Sequence, residues 1–128
     1  MSENMPAKRI LIVDDEESIQ TVVQFGIQMV VDWVVLIASS GPQGIKTACE
    51  EKPDAILLDV MMPDMDGIAT FKALQSDPET ALIPVIFLTA KAQTSERRQF
   101  NDLGVSGVIT KPFNSLDLPD QITKMLDW

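Results

Sequence analysis

Five short apolar runs, each closing on or beside a polar residue, constrain this chain more than any other feature. They are KRILIV (residues 8–13), WVVLIA (33–38), DAILLD (54–59), PVIFLT (84–89) and GVIT (107–110). A continuous apolar run has no polar face to turn to water, so a strand built from it must be covered on both sides. Helical patterns lie between the runs. Residues 16–31 carry Ile19, Val22, Val23, Ile27 and Val30 at helical spacing. A second helix starts after a Ser40 cap with Pro42 in its first turn and stops before Pro53, and a third follows an Asp66 cap over residues 67–75. Residues 93–103 and 115–126 complete the set. Strand and helix alternating five times predicts an α/β fold, a doubly wound five-stranded parallel sheet with helices on both faces. The 128 residues, 45% of them hydrophobic, suffice for one such core and leave no room for a second domain.

In open sheets of this kind ligands sit beyond the carboxyl ends of the strands, so the residues that finish each run become the candidates. The first run ends in Asp14 and Asp15 with Glu16 and Glu17 behind them, the third in Asp59, the fourth in Thr89, and the fifth in Lys111 and Pro112. Crowded carboxylates repel one another. A small divalent cation among them removes the conflict. Mg²⁺ suits the set, since it keeps several waters and is gripped by one or two carboxylates together with phosphate oxygens, and Mn²⁺ is a substitute. The chain has no histidine and a single cysteine, which excludes Ser-His and Cys-His catalytic pairs and ordinary zinc sites. A cation, the Lys111 ammonium and the Thr89 hydroxyl together favour a phosphoryl group. Asp59 is then the expected nucleophile, forming an aspartyl phosphate. Asp14 and Asp15, at the start of a helix, are the better metal holders.

Plainer readings exist for each residue. Alone, any of these aspartates would be a helix cap or a solvated charge, Thr89 a strand residue and Lys111 a surface charge; their common rim is what argues otherwise. Asp64, Asp66 and Gly67 hint at a calcium loop, but Met62 and Ala73 stand where its first and last acidic ligands belong. Met61, Met62 and Met65 read as gap fillers, and Cys49, on one helical face with Ile45 and Ala48, as a buried structural thiol. Arg97 and Arg98 read as solvated charges, with contact to a partner as the alternative. Trp33 and Trp128 carry no functional argument. The net charge of −9 and pI near 4.3 speak against nucleic acid or an anionic membrane as partner. No run approaches the roughly 20 apolar residues of a membrane span and the start MSENMPAKR lacks a signal-like apolar core, so a soluble cytoplasmic protein is expected.

The motifs ILIVDDEE, AILLDVMMPDMDG, VIFLTA and GVITKPF, in this order and across nearly the whole chain, resemble a CheY-like receiver domain of two-component response regulators. The resemblance implies the strand order 2-1-3-4-5, with residues 1–7 expected as a flexible tail and residues 8–128 as the receiver domain. It implies that Asp59 accepts phosphate from a phosphohistidine on a sensor histidine kinase or histidine phosphotransfer protein. Asp15 and Asp59 would ligate Mg²⁺ directly, Met61 through its backbone carbonyl, and Asp14 through water. Thr89 and Lys111 would contact the phosphoryl group, and the peptide bond between Lys111 and Pro112 would be cis.

Two departures follow from the same resemblance. The family's switch ring stands three residues before the lysine, where this chain has Val108. The face of helix four, strand five and helix five is therefore expected to report phosphorylation through backbone shifts and loop order. Met61 and Lys91 occupy positions that tune phosphate lifetime, and an apolar Met61, unable to orient water, predicts slow dephosphorylation. Because the chain stops just after the fifth helix, the expectation is a single-domain regulator, a monomer or weak phosphorylation-linked dimer, acting on a downstream protein. It would catalyse only its own phosphorylation and dephosphorylation. Three rivals remain: a phosphorylation-independent binding module, towards which only Val108 leans; a Mg²⁺-dependent phosphatase, which needs an acid where Met61 stands; and a flavin protein, disfavoured by the acidic loop after strand one.

Overall fold

The five apolar runs form five parallel strands in a computed structural model that describes residues 7–63, 65–90 and 93–128. Lys91, Asp64 and residues 1–6 of the expected tail lie outside the described residues. The elements are β1 (Arg9–Val13), α1 (Glu17–Val30), β2 (Val34–Ala38), α2 (Gly41–Glu51), β3 (Ala55–Asp59), α3 (Gly67–Ser76), β4 (Val85–Thr89), α4 (Thr94–Leu103), β5 (Gly107–Thr110) and α5 (Leu118–Leu126). The sheet order is β2-β1-β3-β4-β5. Among the described residues no helix is long and apolar enough to cross a membrane.

Alternate side chains of each strand feed two separate cores, as the two-residue period of a strand dictates. Leu11, Val13, Leu58, Phe87 and Val108 pack on one side with Phe71 and Leu74 of α3 and Phe100 of α4. Ile10, Ile12, Leu57, Leu88 and Ile109 pack on the other with Val23 and Ile27 of α1 and Leu118 and Ile122 of α5. Phe87 anchors the first core, with Phe71 and Phe100 edge-on to it at 5.7 and 5.2 Å. Each such pair adds about 0.5–1.5 kcal/mol beyond area burial.

Helix starts follow local chemistry. The Ser40 hydroxyl accepts from the Gln43 N–H at 3.2 Å and the Asp66 carboxylate from the Ala69 N–H at 2.8 Å, satisfying donors that a first turn leaves free. The last helix differs from the expected 115–126. Residues Ser115–Asp117 form a 3-10 turn, with the Asn114 side chain accepting from the Leu116 N–H, and the α-helix begins only at Leu118, with Pro119 in its first turn. Proline lacks an N–H and suits that place.

Val22 and Val30, apolar at helical spacing, are 43% and 53% exposed; with Phe25 and Met29 they lie on the outside of α1, whose inner face is Gln20, Val23, Gly26 and Ile27. Glycine at 26 permits the close approach, since a Cβ there would collide with the Ser115 side chain and backbone. Cys49, expected to be buried, is only half-buried, its thiol donating to Asp77 Oδ2 at 3.4 Å; partial burial and that carboxylate push its pKa above the usual thiol value. Trp33 and Trp128 stack edge-on at 5.3 Å, with the Lys8 ammonium 4.5 Å from the Trp128 ring centre, and close the end of the sheet opposite the acidic rim.

Candidate functional site

β1 lies between β2 and β3, so the chain's excursions to left and right diverge beside it. Val13 is in register with Leu58, which brings the next residues, Asp14 and Asp59, side by side. Asp14 is fully buried and Asp59 3% exposed, whereas Asp15 is exposed. One carboxylate oxygen from each of the three lies within 4.8 Å of the others.

The acidic cluster carries its own counter-charge. Lys111, delivered by the end of β5, reaches back past β4 and places Nζ 3.2 Å from both Asp14 Oδ2 and Asp59 Oδ1. Burial alone would lower its pKa, but the two carboxylates outweigh that and hold it above the ordinary lysine value. The pKa of Asp59 is raised as well, up from 3.8 and so towards its neutral form, by burial first and by Asp14 second, with Lys111 and the Met61 N–H opposing. A native group that resists ionisation beside a like charge is primed to gain from added positive charge.

Surrounding contacts hold these side chains still. The Glu16 N–H donates to Asp14 Oδ1 at 2.9 Å, and the Met61 N–H to Asp59 Oδ1 at 3.3 Å. Gln20 is buried on α1 and donates to the Asp14 carbonyl at 2.7 Å and the Ser39 hydroxyl at 3.0 Å, tying the ends of β1 and β2 to α1. Sequence reasoning missed this residue; its signal is a single amide beside Ile19 and Val23. Gly67 allows α3 to start against β3: its N–H donates to the Val60 carbonyl at 2.9 Å, and a Cβ would strike the Asp59 carbonyl.

Thr89 ends β4 between the Asp59 and Lys111 strands and is 1% exposed. A cavity of about 460 Å³ opens beside it, lined also by Met61, Met62, Asp66, Glu96 and Phe100. The Met61 side chain is 60% exposed. The peptide bond between Lys111 and Pro112 is cis. Val108 is buried beneath α4, away from the rim. The structure thus gathers Asp14, Asp15, Asp59, Thr89, Met61 and Lys111 at one end of the sheet and sets Val108 apart.

The donor set fits a hard cation. It offers carboxylate oxygens only, and their 4.8 Å spread is close to the about 4.2 Å between opposite ligands of octahedral Mg²⁺. Asp14, Asp15 and Asp59 would hold it, with Lys111 yielding part of its hold on two of them.

A parallel β2-β1-β3-β4-β5 sheet with this rim defines a class, and sequence relationships agree with it. The chain belongs to the response regulator receiver domain family, matching it over residues 10–123. It is 38% identical over 119 residues to the alkaline phosphatase synthesis transcriptional regulatory protein PhoP of Bacillus subtilis, covering 93% of this chain and 48% of PhoP. It is 38% identical over 110 residues to the response regulator PleD of Caulobacter vibrioides, covering 86% of this chain and 24% of PleD. The chain therefore spans about half or less of the length of these relatives. Among solved structures, Vibrio cholerae chemotaxis protein CheY4 superposes with a TM-score of 0.86 at 27% identity, over 94% of this chain and 99% of CheY4. Receiver domains are signalling modules that bind Mg²⁺ in an acidic pocket and interact with histidine kinases or phosphotransfer proteins, and the acidic trio is this chain's counterpart of that pocket.

Proposed function

We propose that Asp59 accepts a phosphoryl group from a phosphohistidine on a sensor kinase or histidine phosphotransfer protein, and that the acyl phosphate switches the face built by α4, β5 and α5. The observation that carries this reading is Lys111 shared at 3.2 Å between Asp14 and Asp59, carboxylates from different strands. A cation held in that way can exchange one carboxylate for a phosphoryl oxygen without losing charge pairing.

An Asp59 carboxylate oxygen attacks phosphorus; the new O–P bond forms as the donor's N–P bond breaks, and the imidazole leaves with the electron pair. Attack needs Asp59 ionised, which burial and Asp14 oppose and Lys111 favours. Mg²⁺, held by Asp14, Asp15, Asp59 and the Met61 carbonyl, would supply positive charge for the carboxylates and the phosphoryl oxygens alike. Lys111 and the Thr89 hydroxyl are the groups at hand for the remaining equatorial oxygens. In the hydrolytic step water attacks phosphorus, the acyl O–P bond breaks with its electron pair on the Asp59 carboxylate, and inorganic phosphate leaves. Met61 gives that water no hydrogen bond, so the acyl phosphate persists. The chain catalyses only these two steps, on itself.

The exposed apolar face of α1 is the surface assigned to the donor in this reading. Val22, Phe25 and Met29, at 43%, 62% and 63% exposure, form a stripe at i, i+3 and i+7 along α1, which starts at the acidic rim. Incubation with acetyl phosphate and Mg²⁺, followed by intact mass, tests the proposal. The wild type gains one phosphoryl group and Asp59→Ala gains none; equal gain by both would refute it.

A further inference from the structure

On the side of the sheet beneath α4, β5 presents Val108 and Thr110, two residues apart and so on one face. α4 answers with Phe100 and Arg97, three residues apart and neighbours on the helix surface. Phe100 and Val108 share the buried core. Arg97 Nη2 donates to Thr110 Oγ1 at 2.9 Å. Among the described residues an apolar and a polar rung fasten α4 to β5, and the polar rung is the nearer of the two to the acidic site. Thr110 pairs in register with Thr89 and directly precedes Lys111, whose N–H donates to the Thr89 carbonyl at 2.8 Å.

Side-chain size makes room for the polar rung. A groove of about 430 Å³ lies over β5, with Arg97, Val108, Thr110, Gln121 and Met125 among the residues that line it. A ring at 108 would compete for that space.

We propose that the Arg97–Thr110 hydrogen bond is the contact that couples the phosphoryl site to α4, serving where Val108 provides no ring to move; this rests on the reading of Asp59 as phosphoacceptor. When Lys111 and Thr89 turn to a phosphoryl group, Thr110, bonded to one and paired with the other, moves with them. A hydrogen bond at 2.9 Å is lost once its partners separate by well under an ångström more. Arg97 then releases the first half of α4 while Phe100 keeps the second half packed. Arg97 and Thr110 are positioning residues, acting through Lys111 and Thr89.

Backbone amide spectra of the full chain, with and without acetyl phosphate and Mg²⁺, test this in the wild type, Thr110→Val and Thr110→Ser, with intact mass confirming phosphorylation in the same samples. Valine keeps the β-branched shape and removes the acceptor; serine keeps the acceptor. In the wild type and Thr110→Ser, amides of residues 94–103 shift on phosphorylation. In Thr110→Val they already sit near the phosphorylated wild-type positions and move severalfold less, while the Met61 amide shifts in all three. A full response of α4 in Thr110→Val, or a lost response in Thr110→Ser, would overturn the coupling alone. Absence of any mass gain in the wild type would overturn the phosphoacceptor reading and the coupling with it.

Discussion

Asp59 is held in conflict with its surroundings, and that conflict is measurable. Its pKa is raised in the folded chain, so between the unfolded and folded values the native state binds more protons and stability falls as pH rises through that window. Above it the buried negative charge beside Asp14 works against folding. Asp59→Asn keeps the shape without the charge, and Lys111 keeps Asp14 as partner. In Mg²⁺-free buffer at neutral pH this variant should be more stable by about 1 kcal/mol, read as a Tm ~4 °C higher; an unchanged or lower Tm would mean that Lys111 already compensates Asp59 fully. Next to it, Met61→Asn introduces a side chain able to orient water, and loss of the phosphoryl group should quicken about tenfold, some 1.4 kcal/mol of barrier. An unchanged lifetime would remove Met61 from the account.

α1 has a buried inner face and an exposed apolar stripe, and the two can be tested apart. Its inner face meets the 3-10 turn before α5 so closely that Gly26→Ala must displace the Ser115 backbone, a cost of about 2 kcal/mol by urea unfolding. Its outer stripe should behave oppositely. Phe25→Ala, at a side chain 62% exposed, should leave stability within about 0.5 kcal/mol and leave acetyl phosphate labelling intact, yet slow transfer from a phosphohistidine protein severalfold. Equal transfer rates would show that the donor docks elsewhere. The sequence pattern of α1 exposes why such faces are hard to read in advance. Periodicity marks Val22 and Val30 as apolar at helical spacing along with Val23 and Ile27, but only packing reveals that Gly26 faces inward and moves the buried face away from Val22. By contrast α2 and α3 start where Ser40 and Asp66 predict, because a cap is a local contact.

Across the molecule, what could be read from the chain was whatever depends on short-range pattern. Strands buried on both faces appear as continuous apolar runs, so all five were legible to within a residue at each end. Asp14, Asp15, Asp59, Thr89 and Lys111 were legible as strand-end residues because a parallel sheet sends every strand's carboxyl end to the same rim. What stayed hidden depends on long side chains crossing between elements: Lys111 spanning to Asp14 and Asp59, Gln20 of α1 tying β1 to β2, and Arg97 of α4 reaching Thr110. Their partners are set by strand register and by how the helices pack on the sheet, which no local pattern encodes. The proposed function requires those strand ends to act as one site, with a cation and a phosphoryl group sharing it. The initial rate of acetyl phosphate labelling, followed by intact mass as Mg²⁺ is raised from a chelated start, measures this directly. The rate should be negligible in chelator, rise to saturation as for a single ion, and vanish in Asp59→Ala at every concentration. Labelling of wild type at full rate without divalent cation, or labelling that survives the loss of Asp59, would contradict it.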